Sequence, residues 1–319
     1  MNTAPASPPS PPASQSIWYV LGAGSLGGLW AARLYGAGLP VCLILRDQVR
    51  LAAYQEASGL SLTSAERAVS LPIPACTLAD APPIRRLLLA CKAYDAVPAA
   101  LDLKPYVQTG ADVLLLQNGL GSQHAVASVL DHAHCLAVSS TEGAFRRSAF
   151  HIQAAGAGQN WIGALTHHES PPSWLEELDA ANIPNAWTDD IATRLWRKLA
   201  LNCAINPLTV LHDCTNGQLA TSTDELEPVC AELSVLLNAN GVPGTPEDLL
   251  AETQRVITAT AHNLSSMLQD VRAARRTEIA YLLGYACTDA QRRHLALPAL
   301  QNLHERLRHH LAVRGLPVD

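Results

Sequence analysis

The stretch IWYVLGAGSLGGLWAARLYGAG, residues 17–38, decides the fold class of this chain. Its apolar start predicts a short strand, its centre a glycine turn, and its remainder a helix. In a G-x-G-x-x-G turn, Gly22 permits the tight bend, Gly24 lets the backbone approach a pyrophosphate, and Gly27 allows close packing of helix on strand. The sequence therefore predicts a dinucleotide-binding turn. The alternative is a plain glycine turn in an α/β domain that binds no nucleotide.

The end of the next predicted strand, residues 40–46 (PVCLILR), indicates which dinucleotide binds. An acidic residue there accepts hydrogen bonds from the ribose 2′-hydroxyl of NAD, whereas an arginine binds the additional phosphate of NADP. Arg46 comes directly after the apolar part of the strand, and Asp47 follows it. We therefore expect NADP (NADPH) as the cofactor. In the alternative interpretation, Arg46 is a solvated charge and Asp47 caps the next helix.

Three further apolar runs predict strands, at residues 86–92 (RLLLACK), 112–119 (DVLLLQNG) and 134–141 (HCLAVSST). Continuous apolar runs are typical of strands buried on both faces of a parallel sheet, and ligands bind outside the carboxyl ends of such strands. Lys92 and Asn118 occupy two of these ends. The lysine can reach a cofactor phosphate or ribose, and the asparagine can orient a nicotinamide or a substrate carbonyl. Their structural alternatives are a solvated lysine and a turn asparagine.

The composition excludes several classes of protein. The 319 residues are 48% hydrophobic and 16% charged, with a net charge of −6, so the chain can build a core and gives no reason to expect nucleic acid as a partner. It has no apolar run of about 18 residues, the length that a membrane-spanning helix needs. Arginine stays protonated in proteins. The three lysines, Lys92, Lys104 and Lys198, are therefore the long basic side chains that can release a proton.

The chain also carries signals about its organisation. Its eight cysteines are scattered without zinc-ligand spacing, which predicts reduced thiols, no metal site and a cytoplasmic protein. Residues 1–15 are rich in proline and serine and predict a disordered extension. Strand patterns give way to helical patterns near residue 188. We therefore expect an α/β Rossmann-type dinucleotide-binding domain over residues 16–188, followed by an all-α C-terminal domain over residues 189–319.

The most informative helical segment spans residues 193–211 (TRLWRKLALNCAINPLTVL). Apolar residues surround it, as expected of a largely buried helix. Lys198, Asn202 and Asn206 recur at i, i+4 and i+8, so they form one polar stripe. Burying unpaired ammonium and amide groups is costly, so the stripe must face partners or a ligand cleft. Pro207 should end or kink the helix just beyond it.

A second helix is predicted over residues 253–286, with a polar stripe of its own. Asn263, Ser266 and Asp270 recur at i, i+3 and i+7, and Glu278 lies near the same face. A cleft between the two stripes and the glycine turn would combine an ammonium, a carboxylate and several amides with a nicotinamide, a set that can reduce a carbonyl. The alternative is a buried lysine–glutamate pair that holds two helices together.

Seven stretches of the sequence are informative as a set. They are VLGAGSLGGLW (20–30), LILR (43–46), ACKAYD (90–95), LQNGLG (116–121), LWRKLALNCAINPLTVL (195–211), NG (216–217) and SSMLQDVRAARRTEI (265–279). In this order they closely resemble the 2-dehydropantoate 2-reductase (ketopantoate reductase) family. The resemblance implies a Rossmann domain followed by a helical domain, with the active site in the cleft between them.

The resemblance also implies roles for individual residues. It implies that Lys198 is the general acid that donates a proton to the ketone oxygen, with Glu278 near it and near the nicotinamide ribose. The implied substrate-binding residues are Asn118, Asn202, Asn206, Asn216 and Ser266. The implied cofactor-binding residues are Gly22, Ala23, Gly24, Ser25, Leu26, Gly27, Arg46 (at the 2′-phosphate), Lys92, Asn118, Gly143 and Glu278.

The reaction implied by the resemblance is the reduction of 2-dehydropantoate by NADPH to (R)-pantoate, on the route to pantothenate and coenzyme A. The chain departs from the family pattern at Ala280 and Leu283, where aspartate and asparagine are frequent. Two alternatives stay open: an NADP-dependent reductase of another 2-oxo or β-hydroxy acid, and a non-catalytic NADPH-binding regulator. We expect a small 2-oxo acid as substrate, no membrane or nucleic-acid partner, and a monomer or homodimer.

Overall fold

A computed structural model describes residues 16–64, 67–165 and 170–319 of the protein. The extension predicted for residues 1–15 lies outside these ranges. Within the described ranges, no helix combines the length and the apolar character needed to cross a membrane. The eight cysteines are free thiols.

The larger of two sheets holds the predicted strands. Its members are β1 (Trp18–Leu21), β2 (Val41–Leu45), β5 (Ala75–Thr77), β6 (Ile84–Leu89), β7 (Val107–Leu115), β8 (His134–Ser140), β11 (Asn160–Ala164) and β12 (Asn185–Trp187). They follow the order β12-β11-β8-β7-β6-β1-β2-β5. Only β11 and β8 pair antiparallel; the other neighbours are parallel. The strand order reverses between β1 and β6, which opens the crevice where doubly wound sheets bind ligands.

The smaller sheet was not predicted. It consists of β3 (Leu60–Ser64), β4 (Arg67–Leu71), β9 (Gly143–Ser148) and β10 (His151–Gly156), in the order β4-β3-β10-β9. These strands are short, and most residues of β4 are exposed, so they lack the apolar runs that marked the larger sheet. Buried Ile152 packs this sheet onto the helix after the glycine turn.

Helices cover the larger sheet and form the remainder of the chain. They are α1 (Ser25–Gly36), α2 (Gln48–Glu56), α3 (Ala93–Leu103), α4 (Ser122–Val129), α5 (Leu175–Ala180), α6 (Ile191–Leu211), α7 (Thr223–Ala239), α8 (Pro246–Ala259), α9 (Ser266–Arg272), α10 (Leu283–Arg292) and α11 (Pro298–Val313). Every element after β12 is helical, and α6 packs against α7, α8, α9 and α11. This agrees with the predicted order of an α/β part followed by an all-α part.

Helix α6 confirms the helix predicted over residues 193–211 and begins two residues earlier. Asp190 caps its start by accepting a hydrogen bond from the Thr193 N–H group. The helix continues past Pro207 to Leu211, so of the two effects expected of Pro207, an end of the helix is wrong. Proline removes one backbone hydrogen bond, but the following residues Leu208 and Val210 are buried in the helical core. Their packing holds the last turn in place.

The single helix predicted over residues 253–286 is wrong. The chain forms α8, α9, a short 3₁₀ turn (Ile279–Tyr281) and α10 instead. Ser265 starts α9 as a cap, because its side chain accepts a hydrogen bond from the Leu268 N–H group. Ala274 ends α9 with a left-handed φ of +50°. Serine caps and left-handed residues interrupt a helix even where the apolar period continues.

A pair of glycine variants in α1 tests the close packing at the glycine turn. A Cβ added at Gly27 would lie 2.7 Å from Ala90 Cβ, whereas one added at Gly36 would meet no atom within 4 Å. We expect Gly27→Ala to lower the free energy of unfolding by about 1–3 kcal/mol, the range typical of overpacking. Gly36→Ala should change it by less than about 0.5 kcal/mol. Urea unfolding measures both, and equal midpoints would contradict the packing argument.

Candidate active site

The glycine turn between β1 and α1 has the backbone geometry that a dinucleotide requires. Gly22 has a φ of +104°, and a Cβ there would lie 2.6 Å from the Ala90 carbonyl carbon, so glycine is needed. A Cβ at Gly24 would meet no atom closer than 4.0 Å, which leaves this side of the turn open. No side chain caps α1, so its first N–H groups are available for phosphate. The turn, completed by Ala23, Ser25, Leu26 and Gly27, fits a pyrophosphate.

Lys92 lies just beyond the carboxyl end of β6, where it precedes α3. Its ammonium contacts two buried carboxylates of the helical part, 2.6 Å from Asp270 Oδ2 and 3.3 Å from Glu278 Oε2. Burial lowers the pKa of Lys92, but the charges of Glu278 and Asp270 outweigh that effect and raise it overall. Lys92 is therefore a permanent cation at the edge of the sheet.

Glu278 and Asp270 each have a second partner. The other oxygen of Glu278, Oε1, accepts a hydrogen bond of 3.0 Å from the Ala93 N–H group. Asp270 Oδ1 contacts Arg275 Nε at 3.1 Å. Both carboxylates are over 90% buried, and burying charges is costly unless they are paired. The pairs with Lys92 therefore join the α/β part to the helical part at the crevice.

Lys198, on α6, has an environment opposite to that of Lys92. Within the described ranges, its ammonium forms neither a hydrogen bond nor an ion pair. Burial lowers its pKa to about 8, although the negative charge of Glu278 acts in the opposite direction. A lysine with a pKa near working pH can donate a proton and recover it. The arrangement therefore supplies a candidate general acid.

Glu278 acts on Lys198 without contacting it directly. The carboxylate of Glu278 contacts Lys92 and the Ala93 N–H group instead, and it influences Lys198 through its field. The alternative of a lysine–glutamate pair holding helices together is thus partly realised, but with Lys92 as the lysine. Sequence spacing could not show this, because the two lysines lie on different elements that meet only in the folded chain.

The amide side chains of the α6 stripe share the unpaired state of Lys198. Asn202 is partly buried and Asn206 is buried, and neither side chain has a hydrogen-bond partner among the described residues. Asn118, in the loop after β7, is partly buried and also lacks one. Each amide can donate and accept hydrogen bonds. These groups suit a small substrate that carries hydroxyl and carboxylate groups.

The remaining two predicted substrate residues, Asn216 and Ser266, differ in burial and in hydrogen bonding. The Asn216 side chain donates a hydrogen bond of 2.9 Å to Thr260 Oγ1, while its buried Oδ1 has no partner in the described part of the chain. Ser266 is exposed at the start of α9. Its neighbour Ser265 is buried and bonds to Thr209 Oγ1 at 2.7 Å. Asn216 therefore has one acceptor left, and Ser266 is free to contact a ligand.

A backbone contact next to Asn118, between the loop after β7 and the segment after Glu278, was not predicted from the sequence. The Leu120 N–H group donates a hydrogen bond of 2.9 Å to the Tyr281 carbonyl oxygen. A Cβ at Gly119, whose φ is +77°, would lie 2.7 Å from the Tyr281 carbonyl carbon. This glycine lets the segment after Glu278 approach the loop that carries Asn118. The turn signal Asn-Gly was visible in the sequence, but its partner segment was not.

Two further predicted cofactor contacts, Arg46 and Gly143, lie on different elements of the α/β part. Arg46 follows β2, and its side chain is 85% exposed and bonds to Asp47 at 2.9 Å. Gly143 begins β9 of the smaller sheet. The preceding Glu142, also missed, is buried and accepts hydrogen bonds of 2.9 Å from Trp30 Nε1 and Asn160 Nδ2. It thereby ties Gly143 to α1.

The fold and this crevice define a dinucleotide-dependent oxidoreductase with a Rossmann-type part and a helical part that carries an unpaired lysine. The chain belongs to the ketopantoate reductase family. The family model described as ketopantoate reductase PanE/ApbA matches residues 18–167, and the model for the C-terminal part of that family matches residues 190–311. The resemblance and the fold class expected from the sequence are thereby confirmed.

Individual relatives cover nearly the whole chain. The 2-dehydropantoate 2-reductase of Vibrio cholerae is 31% identical over 91% of this chain and 96% of its own length. A ketopantoate reductase from Ralstonia eutropha JMP134 has a TM-score of 0.84 at 26% identity, covering 94% of this chain and 99% of that one. A D-mandelate dehydrogenase, solved with NADH and anilino(oxo)acetate, shares the fold at a TM-score of 0.86 and 18% identity, covering 94% and 100%.

Proposed function

We propose that this protein reduces 2-dehydropantoate to (R)-pantoate with NADPH, as a step of pantothenate and coenzyme A biosynthesis in the cytoplasm. The observation that carries the proposal is Lys198: among the described residues its ammonium has no partner, its pKa is lowered to about 8, and the unpaired amides of Asn202 and Asn206 lie on the same helix. The 2-dehydropantoate 2-reductases among the relatives support the choice of substrate.

The proton transfer follows from the state of Lys198. When bound, the nicotinamide supplies the hydride to the ketone carbon. Negative charge then develops on the ketone oxygen, and the ammonium of Lys198 donates its proton to that oxygen. Because burial has lowered the pKa of Lys198 to about 8, the proton leaves more easily than from an exposed lysine. The residue is reprotonated from solvent before the next turnover.

The neighbouring residues position the substrate and hold the site together. Asn202 and Asn206 lie on the same helix face as Lys198, one and two turns further on, so we assign them to the carboxylate and hydroxyl groups of the substrate. Asn118 contacts substrate and cofactor from the opposite side of the crevice. Glu278 keeps the pKa of Lys198 from falling further, because its charge favours the protonated form.

The proposed preference for NADPH depends on the cations around the turn. Arg46 follows β2, the strand whose end faces the adenosine ribose in dinucleotide folds. Asp47 caps α2 by accepting a hydrogen bond from the Arg50 N–H group at 2.6 Å, and Arg46 is largely exposed, as the alternative interpretation of this pair expected. An exposed guanidinium at the end of β2 can still bind a phosphate, so we assign Arg46 to the 2′-phosphate of NADP.

A comparison of substrates and cofactors tests this function. With 2-dehydropantoate, we expect oxidation of NADPH, followed at 340 nm, with a kcat/KM at least about tenfold higher than with NADH, since one charge-assisted hydrogen bond contributes about 1.5–3 kcal/mol. The reduction of phenylglyoxylate and the oxidation of 3-hydroxyisobutyrate serve as competing reactions. Faster turnover of either compound would indicate that the substrate is a different oxo or hydroxy acid. NADPH binding without turnover of any of them would indicate a regulator instead.

A further inference from the structure

We propose that Arg50 and Arg146 join Arg46 in binding the 2′-phosphate of the cofactor, so that the smaller sheet helps to determine the cofactor preference. The inference rests on the proposed use of NADPH and adds two residues to it. Arg50 lies on α2, one turn after Asp47, and Arg146 lies on β9. Three guanidinium groups would then face one dianionic phosphate.

The hydrogen bonds around Asp47 leave positive charge in excess. Its carboxylate accepts from Arg46 Nε at 2.9 Å through Oδ2 and from the Arg50 backbone N–H group at 2.6 Å through Oδ1. The Arg50 guanidinium itself is not paired with Asp47. One carboxylate does not balance the charges of Arg46, Arg50 and Arg146. The three arginines therefore carry net positive charge, which attracts an anion.

Phe150 holds the Arg50 side chain in place. The guanidinium carbon of Arg50 lies 4.0 Å from the centre of the Phe150 ring, a distance at which cation and ring attract each other. The ring is buried and packs edge-on against Tyr54 at 5.0 Å. Phe150 has a φ of +59°, a conformation that is strained for a bulky residue and persists when the surroundings enforce it. The β9–β10 turn thus provides a rigid platform for Arg50.

The hairpin of β9 and β10 brings Arg146 towards Arg50, because Phe150 in its turn contacts the Arg50 guanidinium. Burial lowers the pKa of Arg50, and the positive charges of Arg146 and Arg46 lower it further, while Asp47 offsets only part of this effect. Like charges repel, so a cluster of this kind is costly without an anion. Guanidinium groups bind phosphate oxygens in pairs of parallel hydrogen bonds. A phosphomonoester at the end of β2 is therefore the ligand that the cluster fits.

Binding of the two adenosine fragments tests the proposal without turnover. We would measure the dissociation constants of 2′,5′-ADP and 5′-AMP by isothermal titration calorimetry for the wild type and for Arg46→Met, Arg50→Met and Arg146→Met. In the wild type, 2′,5′-ADP should bind more tightly than 5′-AMP. In each variant the ratio of the dissociation constant of 5′-AMP to that of 2′,5′-ADP should fall by about tenfold, because each variant loses a charge-assisted hydrogen bond. The affinity for 5′-AMP should stay unchanged, which shows that the variant is folded.

Arg85→Met is the control. Arg85 is exposed near the start of β6, at the end of the sheet away from the carboxyl ends where ligands bind, so its ratio should equal that of the wild type. If Arg50→Met and Arg146→Met keep the wild-type ratio while Arg46→Met loses it, the inference is overturned and the preference for NADPH stands. If the wild type shows no preference for 2′,5′-ADP, both the inference and the preference for NADPH are overturned.

Discussion

Replacing Lys198 with alanine should lower kcat/KM for 2-dehydropantoate by about 10²–10⁴-fold, the contribution typical of a general acid. The loss should appear mainly in kcat, because proton donation is required in the transition state and not for cofactor binding. NADPH binding, followed by its fluorescence, should persist, since Lys198 lies on the helical part and the glycine turn is intact. Steady-state rates at 340 nm provide the measurement.

The pH dependence of the wild type gives an independent check on Lys198. The protonated lysine is the active form, and its pKa is lowered to about 8. Above that pH the lysine loses its proton, so kcat/KM should fall about tenfold per pH unit. Lys104→Ala is the control, because Lys104 forms an exposed pair with Asp131 at 3.1 Å. Wild-type rates in Lys198→Ala would refute the general-acid role.

Replacing Glu278 with glutamine should lower kcat by about 10–100-fold. The negative charge of Glu278 raises the pKa of Lys198 against the effect of burial. Without that charge the pKa falls further below about 8, so less of the lysine is protonated at a given pH. The fall of kcat/KM should therefore begin at lower pH than in the wild type. A pH profile of the variant measures this shift.

Glutamine suits this test because it changes the charge more than the structure. Its amide oxygen can still accept the hydrogen bond from the Ala93 N–H group, and Lys92 keeps Asp270 as a partner at 2.6 Å. Glu252→Gln is the matched control, since Glu252 pairs with Arg197 of α6 on the outside of the helical part. An unshifted pH profile in Glu278→Gln would show that Glu278 has a structural role alone.

The sequence predicted the framework of the site because that framework is local. The strand, turn and helix around Gly22–Gly27 are contiguous, so their apolar pattern and glycine spacing are visible in one short window. The same holds for the stripe of Lys198, Asn202 and Asn206, which a single helix places on one face. The smaller sheet was missed because β9 and β10 are half-polar strands, and β10 pairs with the distant strand β3, with His151 opposite Ser61.

The second polar stripe shows where a helical period misleads. Asn263 and Ser266 match the spacing of one helix, yet Ser265 caps α9 and separates them. Asp270 and Glu278 nevertheless meet at Lys92, because the chain turns back between them at Ala274. The pattern therefore grouped two residues, Asp270 and Glu278, that lie together in the structure, but for the wrong geometric reason.

By itself the sequence determined the dinucleotide turn, the family and a short set of lysines. It could not determine what each lysine does, because Lys92 and Lys198 have the same intrinsic pKa. The tertiary structure decides that difference. Lys92 lies against Asp270 and Glu278, whose charges keep it protonated. Lys198 is desolvated, contacts no carboxylate of the described residues, and can release its proton. The pKa of a side chain depends on burial and on neighbouring charges, and both arise only when distant segments pack together.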